Sequence, residues 1–132
     1  MFGRKQHTEV ISRCPLFSDL SSREIQGLAS ISNEERYAAG DELMREGEQG
    51  HSFFVLLDGQ AEVLQGGERV NTHESGAFFG EIALITHGQR TATVRATTPV
   101  RALEIRDRAF RALLGREPQL EQKVIAALGD RL

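Results

Sequence analysis

The chain has one cysteine, Cys14, and no tryptophan in 132 residues. A single thiol excludes an internal disulfide, and it excludes any zinc or iron–sulfur centre built on several cysteines. Cys14 is read as a buried or idle side chain. Long apolar runs are missing too, and none approaches the roughly 18 residues that a membrane-spanning helix needs. The opening ten residues carry positive charge but lack the apolar core of a signal peptide, so a cytoplasmic protein is expected. Excess basic charge is absent: a formal net charge of −3 removes the general electrostatic footprint of nucleic-acid binding. His7, His51, His73 and His87 stand at no metal-ligand spacing and read as surface or turn residues. No nucleophile in a strained turn stands beside a base, so no enzyme, metal or cofactor is expected.

What is present is enough for one domain spanning residues 1–132. A domain of this length buries roughly two-thirds of its unfolded surface and needs no staples. The first third reads as helical. Arg4 to Ser12 is a weak helix candidate. Ser21-Ser22-Arg23-Glu24 reads as a capping box, with Ile25, Leu28 and Ala29 following at helical spacing. The helical entry is assigned to residues 1–34.

From residue 35 to 106 short β-prone runs alternate with glycine turns at Gly40, Gly47, Gly59, Gly66-Gly67, Gly76 and Gly88. Ser52 to Leu57, Gln60 to Leu64, Thr91 to Ala96 and Val100 to Ile105 read as strands. Short strands at regular spacing predict an antiparallel sandwich or barrel. The tail, residues 107–132, returns to helix. Asp107 would cap a helix from Arg108 to Leu114, Gly115 would stop it, and Pro118 would open the next. Leu120, Val124, Leu128 and Leu132 then repeat every four residues. That stripe is either core packing or a movable lid or partner-binding face.

The chemistry concentrates between Phe79 and Val94. Glu81 and Arg90 are a carboxylate and a guanidinium separated by a short apolar run, Ile82 to Ile85. If that run makes one helical turn, its free amides face beyond Gly80 and attract an anion. A guanidinium clamps a phosphate through two parallel donors. Beside it Glu81 would repel that phosphate, unless a sugar hydroxyl donates to the carboxylate. The structural alternative is a Glu81–Arg90 salt bridge that closes the turn.

Phe79-Gly80-Glu81-Ile82-Ala83-Leu84, followed by Arg90-Thr91-Ala92-Thr93-Val94, resembles the phosphate-binding cassette of cyclic-nucleotide-binding domains. The strand pair from Phe53 to Val63, the turns at Gly40-Asp41 and Glu46-Gly47, and the entry segment from Pro15 to Ser21 are similar to the same family. The likeness runs over about residues 14 to 115. It implies a mainly β fold: an antiparallel, jelly-roll-like β-roll with N-terminal helices, the cassette and C-terminal hinge or lid helices. It implies that Glu81 holds the ribose 2′-hydroxyl and that Arg90 pairs with the exocyclic phosphate oxygens. The amides of Gly80, Ala83 and Thr91 would add donors, and Val63 would touch the base. Ile82 and Leu84 would form the apolar wall that couples the cassette to the C-terminal helices, and Leu128 would serve as a lid.

Many members carry proline where this chain has Gln89, so the turn is expected to be less rigid. Cyclic AMP is the expected ligand and cyclic GMP the alternative, since Thr91 suits either. The implied function is a sensor or regulatory module whose C-terminal helices re-pack on binding. The competing reading is a ligand-free interaction module on the same β-roll. The expected partners are a cyclic nucleotide, an effector protein or domain, and a second copy through the last helix. No direct nucleic-acid binding by this chain and no membrane span in it are expected. The opening methionine slightly favours a free-standing sensor over an excised regulatory domain.

Overall fold

A computed structural model describes residues 2–81 and 88–129. The chain begins with helix α1 (Phe2–Arg13), a single 3-10 turn (Pro15–Phe17) and helix α2 (Ser22–Ser30). The capping box forms as expected. The Ser21 hydroxyl accepts from the Glu24 amide at 3.2 Å, and the Glu24 carboxylate accepts from the Ser21 amide at 2.8 Å. Two otherwise orphan donors are thereby satisfied.

Eight strands follow: β1 (Ser32–Tyr37), β2 (Glu42–Met44), β3 (Ser52–Asp58), β4 (Ala61–Gln65), β5 (Glu68–His73), β6 (Phe78–Phe79), β7 (Thr93–Ala96) and β8 (Val100–Arg106). They form two antiparallel four-stranded sheets, ordered β1-β8-β3-β6 and β2-β7-β4-β5. This is the antiparallel β-roll that the resemblance implies, and the glycine-punctuated pattern leaves a sandwich or a barrel open. The roll begins at Ser32, three residues before the expected boundary at residue 35.

β3 explains how the layers stack. Six of its seven residues are buried, because both faces of the strand are covered. Phe53, Val55 and Leu57 point to the helices and join Val10, Leu28 and Leu120 in one apolar cluster. Phe54 and Leu56 point the other way and join Ala61, Val94 and Ala102 between the sheets. The side-chain period of two therefore divides one strand between two cores. Phe53 is the centre of the outer one, tilted against Phe17 at 5.9 Å and edge-on to Phe110 at 5.3 Å.

Helix α3 (Asp107–Arg116) and helix α4 (Pro118–Gly129) close the chain. Two local expectations are corrected. Asp107 is the first residue of α3 and not its cap; the cap position is Arg106, which makes no side-chain capping bond. The Asp107 amide instead donates to the His51 carbonyl at 2.9 Å. Gly115 lies inside α3, which ends at Arg116 because the residue before Pro118 is pushed out of the helical region. In α4, Leu120 and Val124 are buried and Leu128 is half-buried against the same helical cluster. For these three residues the stripe is core packing. Leu132 lies outside the described residues.

Candidate functional site

A cavity of about 190 Å3 opens between the two sheets at the β6 end of the roll. Gly80, Glu81, Gln89, Arg90 and Thr91 line one side of it. Met44, Val63, Phe79, Ala92 and Val94 supply apolar walls, and Gln65 and His73 complete it. A larger cavity of about 740 Å3 lies between the 3-10 turn and α4, lined by Pro15, Leu16, Ala126, Ala127 and others. Its one cation, Lys123, is already ion-paired to Glu24 at 2.7 Å. The smaller cavity carries the distinctive chemistry.

Arg90 is the central group. Its backbone is held by the β2–β3 connection: the Arg90 amide donates to the Glu48 carbonyl at 2.7 Å, and its carbonyl accepts from the Gly47 amide at 2.9 Å. An antiparallel bridge between Gln49 and Gln89 extends that pairing. The side chain is only 8% exposed. Nη1 donates to the Gly80 carbonyl at 3.2 Å, and Nη2 approaches the Ser52 hydroxyl at 3.5 Å. The guanidinium lies 5.8 Å from the centre of the Phe54 ring, in range of a cation–π attraction. Burial pushes its pKa below the ordinary arginine value, and the charge of Glu104 acts in the opposite direction. Among the described residues no carboxylate forms an ion pair with Arg90.

Gly80 is required here by two independent features. Its φ is +85°, and a Cβ built on it would lie 2.8 Å from Arg90 Nη1 and 3.3 Å from the Ser52 carbonyl. A glycine at the rim leaves a ligand access to the backbone. The structure adds a nearer reason for it, room for the guanidinium itself.

Thr91 and Val63 line the cavity. The Thr91 carbonyl accepts from Gln65 Nε2 at 3.2 Å, which ties the end of β4 to the segment after Arg90. Ile82, Ala83 and Leu84 lie outside the described residues. Leu128, the implied lid, is not among the described residues lining this cavity, and none of those comes from α4. Its spacing from Leu120 and Val124 keeps it on the face that packs into the helical cluster, so it makes no lid contact in this arrangement.

Several site groups were not singled out from the sequence. His73, read there as a surface or turn residue, lines the cavity and stacks on Phe79 at 5.1 Å. Phe79 in turn stacks on Phe54 at 5.2 Å. Burial lowers the His73 pKa from its ordinary 6.5 and favours the neutral ring. Its place is set by pairing: as the last residue of β5 it stands opposite Ala61, which is buried between the sheets. Ser52 and Glu104, the groups behind Arg90, carried no local signal.

The profile of the cyclic nucleotide-binding domain matches residues 34–117. The chain belongs to the cyclic nucleotide-binding domain family. The match starts at Glu34, so the entry segment from residue 14 lies outside it. The domain is 34% identical, over 112 residues, to a cAMP-dependent protein kinase regulatory subunit of Hypocrea atroviridis. That alignment covers 85% of this chain and 24% of the relative, so the domain spans about a quarter of that protein's length. Among solved structures it is similar to the N-terminal domain of a transcriptional regulator from Streptomyces coelicolor, with TM-score 0.86 and 27% identity, covering 92% of this chain and 91% of that one. It is also similar to a cAMP-bound PfPKA-R chain, with TM-score 0.78 and 28% identity, covering 97% of this chain and 46% of that one. In this domain the described part of the cavity offers a guanidinium, a carboxylate and an apolar wall within one small volume. That set can take a ligand with an anionic group, a hydroxyl donor and a flat apolar part.

Proposed function

We propose that the domain binds cyclic AMP in this cavity and reports it to an effector protein or domain without catalysing a reaction. The observation that carries the reading is Arg90, a buried guanidinium at the cavity with no ion-paired carboxylate among the described residues. Burying such a charge without a directly paired carboxylate costs several kcal/mol, and a ligand phosphate offsets that cost on binding. Arg90 would take the exocyclic phosphate oxygens through two donors. Glu81 would accept from the ribose 2′-hydroxyl, and the amides of Gly80, Ala83 and Thr91 would add donors. Val63 would contact the base, while Ile82 and Leu84 would carry the change to the C-terminal helices. The cAMP-bound state of a similar chain supports the choice of ligand.

The output is a population shift between two packings of α3 and α4. A ligand moves that balance only by its differential affinity for the two. Self-association through α4, where Ile125 is 60% exposed, is the second element of the reading. Ligand-dependent sedimentation would reveal it, and identical sedimentation with and without cyclic AMP would remove it.

The direct test is titration calorimetry with cyclic AMP and cyclic GMP on the wild type and on Arg90→Ala. Loss of a charge-assisted contact is worth roughly 1.5–3 kcal/mol, so affinity should fall about tenfold to a hundredfold or more. Saturating ligand should raise the melting temperature of the wild type, because it binds only the folded form. Unchanged affinity in Arg90→Ala would refute the role of Arg90. A tenfold preference for cyclic GMP would overturn the choice of base.

A further inference from the structure

We propose that Ser52 and Glu104 are positioning residues for Arg90: the Ser52 hydroxyl, oriented by the Glu104 carboxylate, aims the guanidinium into the cavity and leaves its charge to an anionic ligand. The inference rests on reading the cavity as a cyclic-nucleotide site. The sheet register supplies the geometry. β3 and β8 pair so that Ser52 stands opposite Arg106 and Phe54 opposite Glu104. Ser52 and Glu104 are therefore diagonal neighbours on one face of the sheet, the face that Phe54 presents to the interior of the roll.

Donor counting fixes the direction of the relay. Ser52 is 5% exposed, and its hydroxyl donates to Glu104 Oε2 at 2.9 Å. A hydroxyl has one hydrogen. With that hydrogen committed to the carboxylate, Oγ presents only lone pairs, and Arg90 Nη2 approaches them at 3.5 Å. At that length the contact aims the guanidinium without clamping it. The other guanidinium nitrogen is on the Gly80 carbonyl at 3.2 Å, so both acceptors that hold Arg90 are neutral.

The hydroxyl spacer has a functional consequence. A carboxylate paired directly with Arg90 would occupy the two-donor fork that a phosphate needs, and the ligand would have to displace it. Glu104 is not among the residues lining the cavity. Its remaining oxygen lies 3.9 Å from Arg106 Nε. Negative charge thus acts on Arg90 from behind, at one remove.

The test is titration calorimetry with cyclic AMP on the wild type, Ser52→Ala, Glu104→Gln, the double variant and Ser52→Thr, with a thermal melt of each ligand-free protein. Ser52→Ala and Glu104→Gln should each weaken binding roughly threefold to tenfold while remaining folded at the titration temperature. The double variant should be no weaker than the weaker single, because both changes act through one contact. Ser52→Thr keeps the hydroxyl and should bind within about twofold of wild type. Binding unchanged in both single variants, or losses that add in the double, would overturn the relay while leaving the cyclic-nucleotide reading intact. A wild type that binds no cyclic AMP would overturn both.

Discussion

Replacing Gly80 by alanine separates two effects that coincide at this position. The first is backbone conformation. At a φ of +85° an L-residue with a Cβ costs about 1–2 kcal/mol. An unfolding entropy of about 2.1 cal/mol/K per residue gives a chain of 132 residues about 0.28 kcal/mol/K. The melting temperature should therefore fall by about 4–7 °C. The second effect is local collision. The new Cβ would lie 2.8 Å from Arg90 Nη1, and the guanidinium, as the far end of a flexible side chain, must leave. It then loses the Gly80 carbonyl and its aim at the cavity, so cyclic-AMP affinity should drop by about 1.5–3 kcal/mol, tenfold or more. Gly40→Ala is the control. Gly40 has a φ of +95° and nothing within 4 Å of a built Cβ, so it carries the backbone effect alone. Melts and titrations of both variants should show similar losses of stability and a loss of affinity in Gly80→Ala only. Equal affinity in the two variants would refute the claim that Gly80 exists to admit Arg90.

Two further perturbations concern proton linkage. The Lys123 ammonium, then the Ser21 amide, hold the Glu24 carboxyl below its ordinary 4.5. A depressed carboxylate contributes stability that is complete above 4.5 and is lost as pH falls through its folded value. Urea unfolding from pH 7 to pH 3 should therefore show a flatter acid limb for Glu24→Gln than for wild type, and parallel limbs would contradict it. His73 is held below 6.5 by burial, so the unfolded chain takes up its proton first and stability should decline as pH falls below 6.5. His73→Phe should remove part of the decline between pH 6.5 and 5.5 in the same assay, and an unchanged decline would show that His73 does not titrate on unfolding.

The legible parts of the fold were those where one segment carries its own signal. Six consecutive apolar or β-prone residues mark β3 whatever it packs against. Ser21 and Glu24 mark a helix start by their spacing alone. β5 had no such signal. Five of its six residues are exposed, and it is a strand because β4 pairs with it, Val63 opposite Asn71. β1, with sequence SNEERY, is similar. Its Glu34 is satisfied by His7 at 2.9 Å and Arg101 at 3.3 Å, partners that only the tertiary fold supplies.

The site divides the same way. Glu81 and Arg90 were legible because the cassette is contiguous. Ser52 stands 38 positions from Arg90, and 52 positions separate it from Glu104. Strand register alone brings them together. The place of Leu128 was only half legible for a related reason: helical spacing identifies a face but not the surface that this face will meet.

The alternation of β3 also bears on how the cavity communicates with the C-terminal helices. Ser52 and Phe54 stand on the inner face, one against Arg90 by its hydroxyl and the other by its ring. Phe53, between them in sequence, points to the opposite face and meets Phe110 of α3 edge-on at 5.3 Å. Between the Arg90 guanidinium at the cavity and the first C-terminal helix lie β3 and its own side chains. Interiors are close-packed and low in compressibility, so a displacement of the Ser52–Phe54 backbone cannot be absorbed locally and must be met by re-packing around Phe53. Beside Ile82 and Leu84, the couplers proposed above, β3 would supply a second route. Phe53 is fully buried and shared by Phe17, ahead of the roll, and Phe110, behind it. A shift there reaches both helical flanks together, as a two-packing mechanism for the C-terminal helices would need.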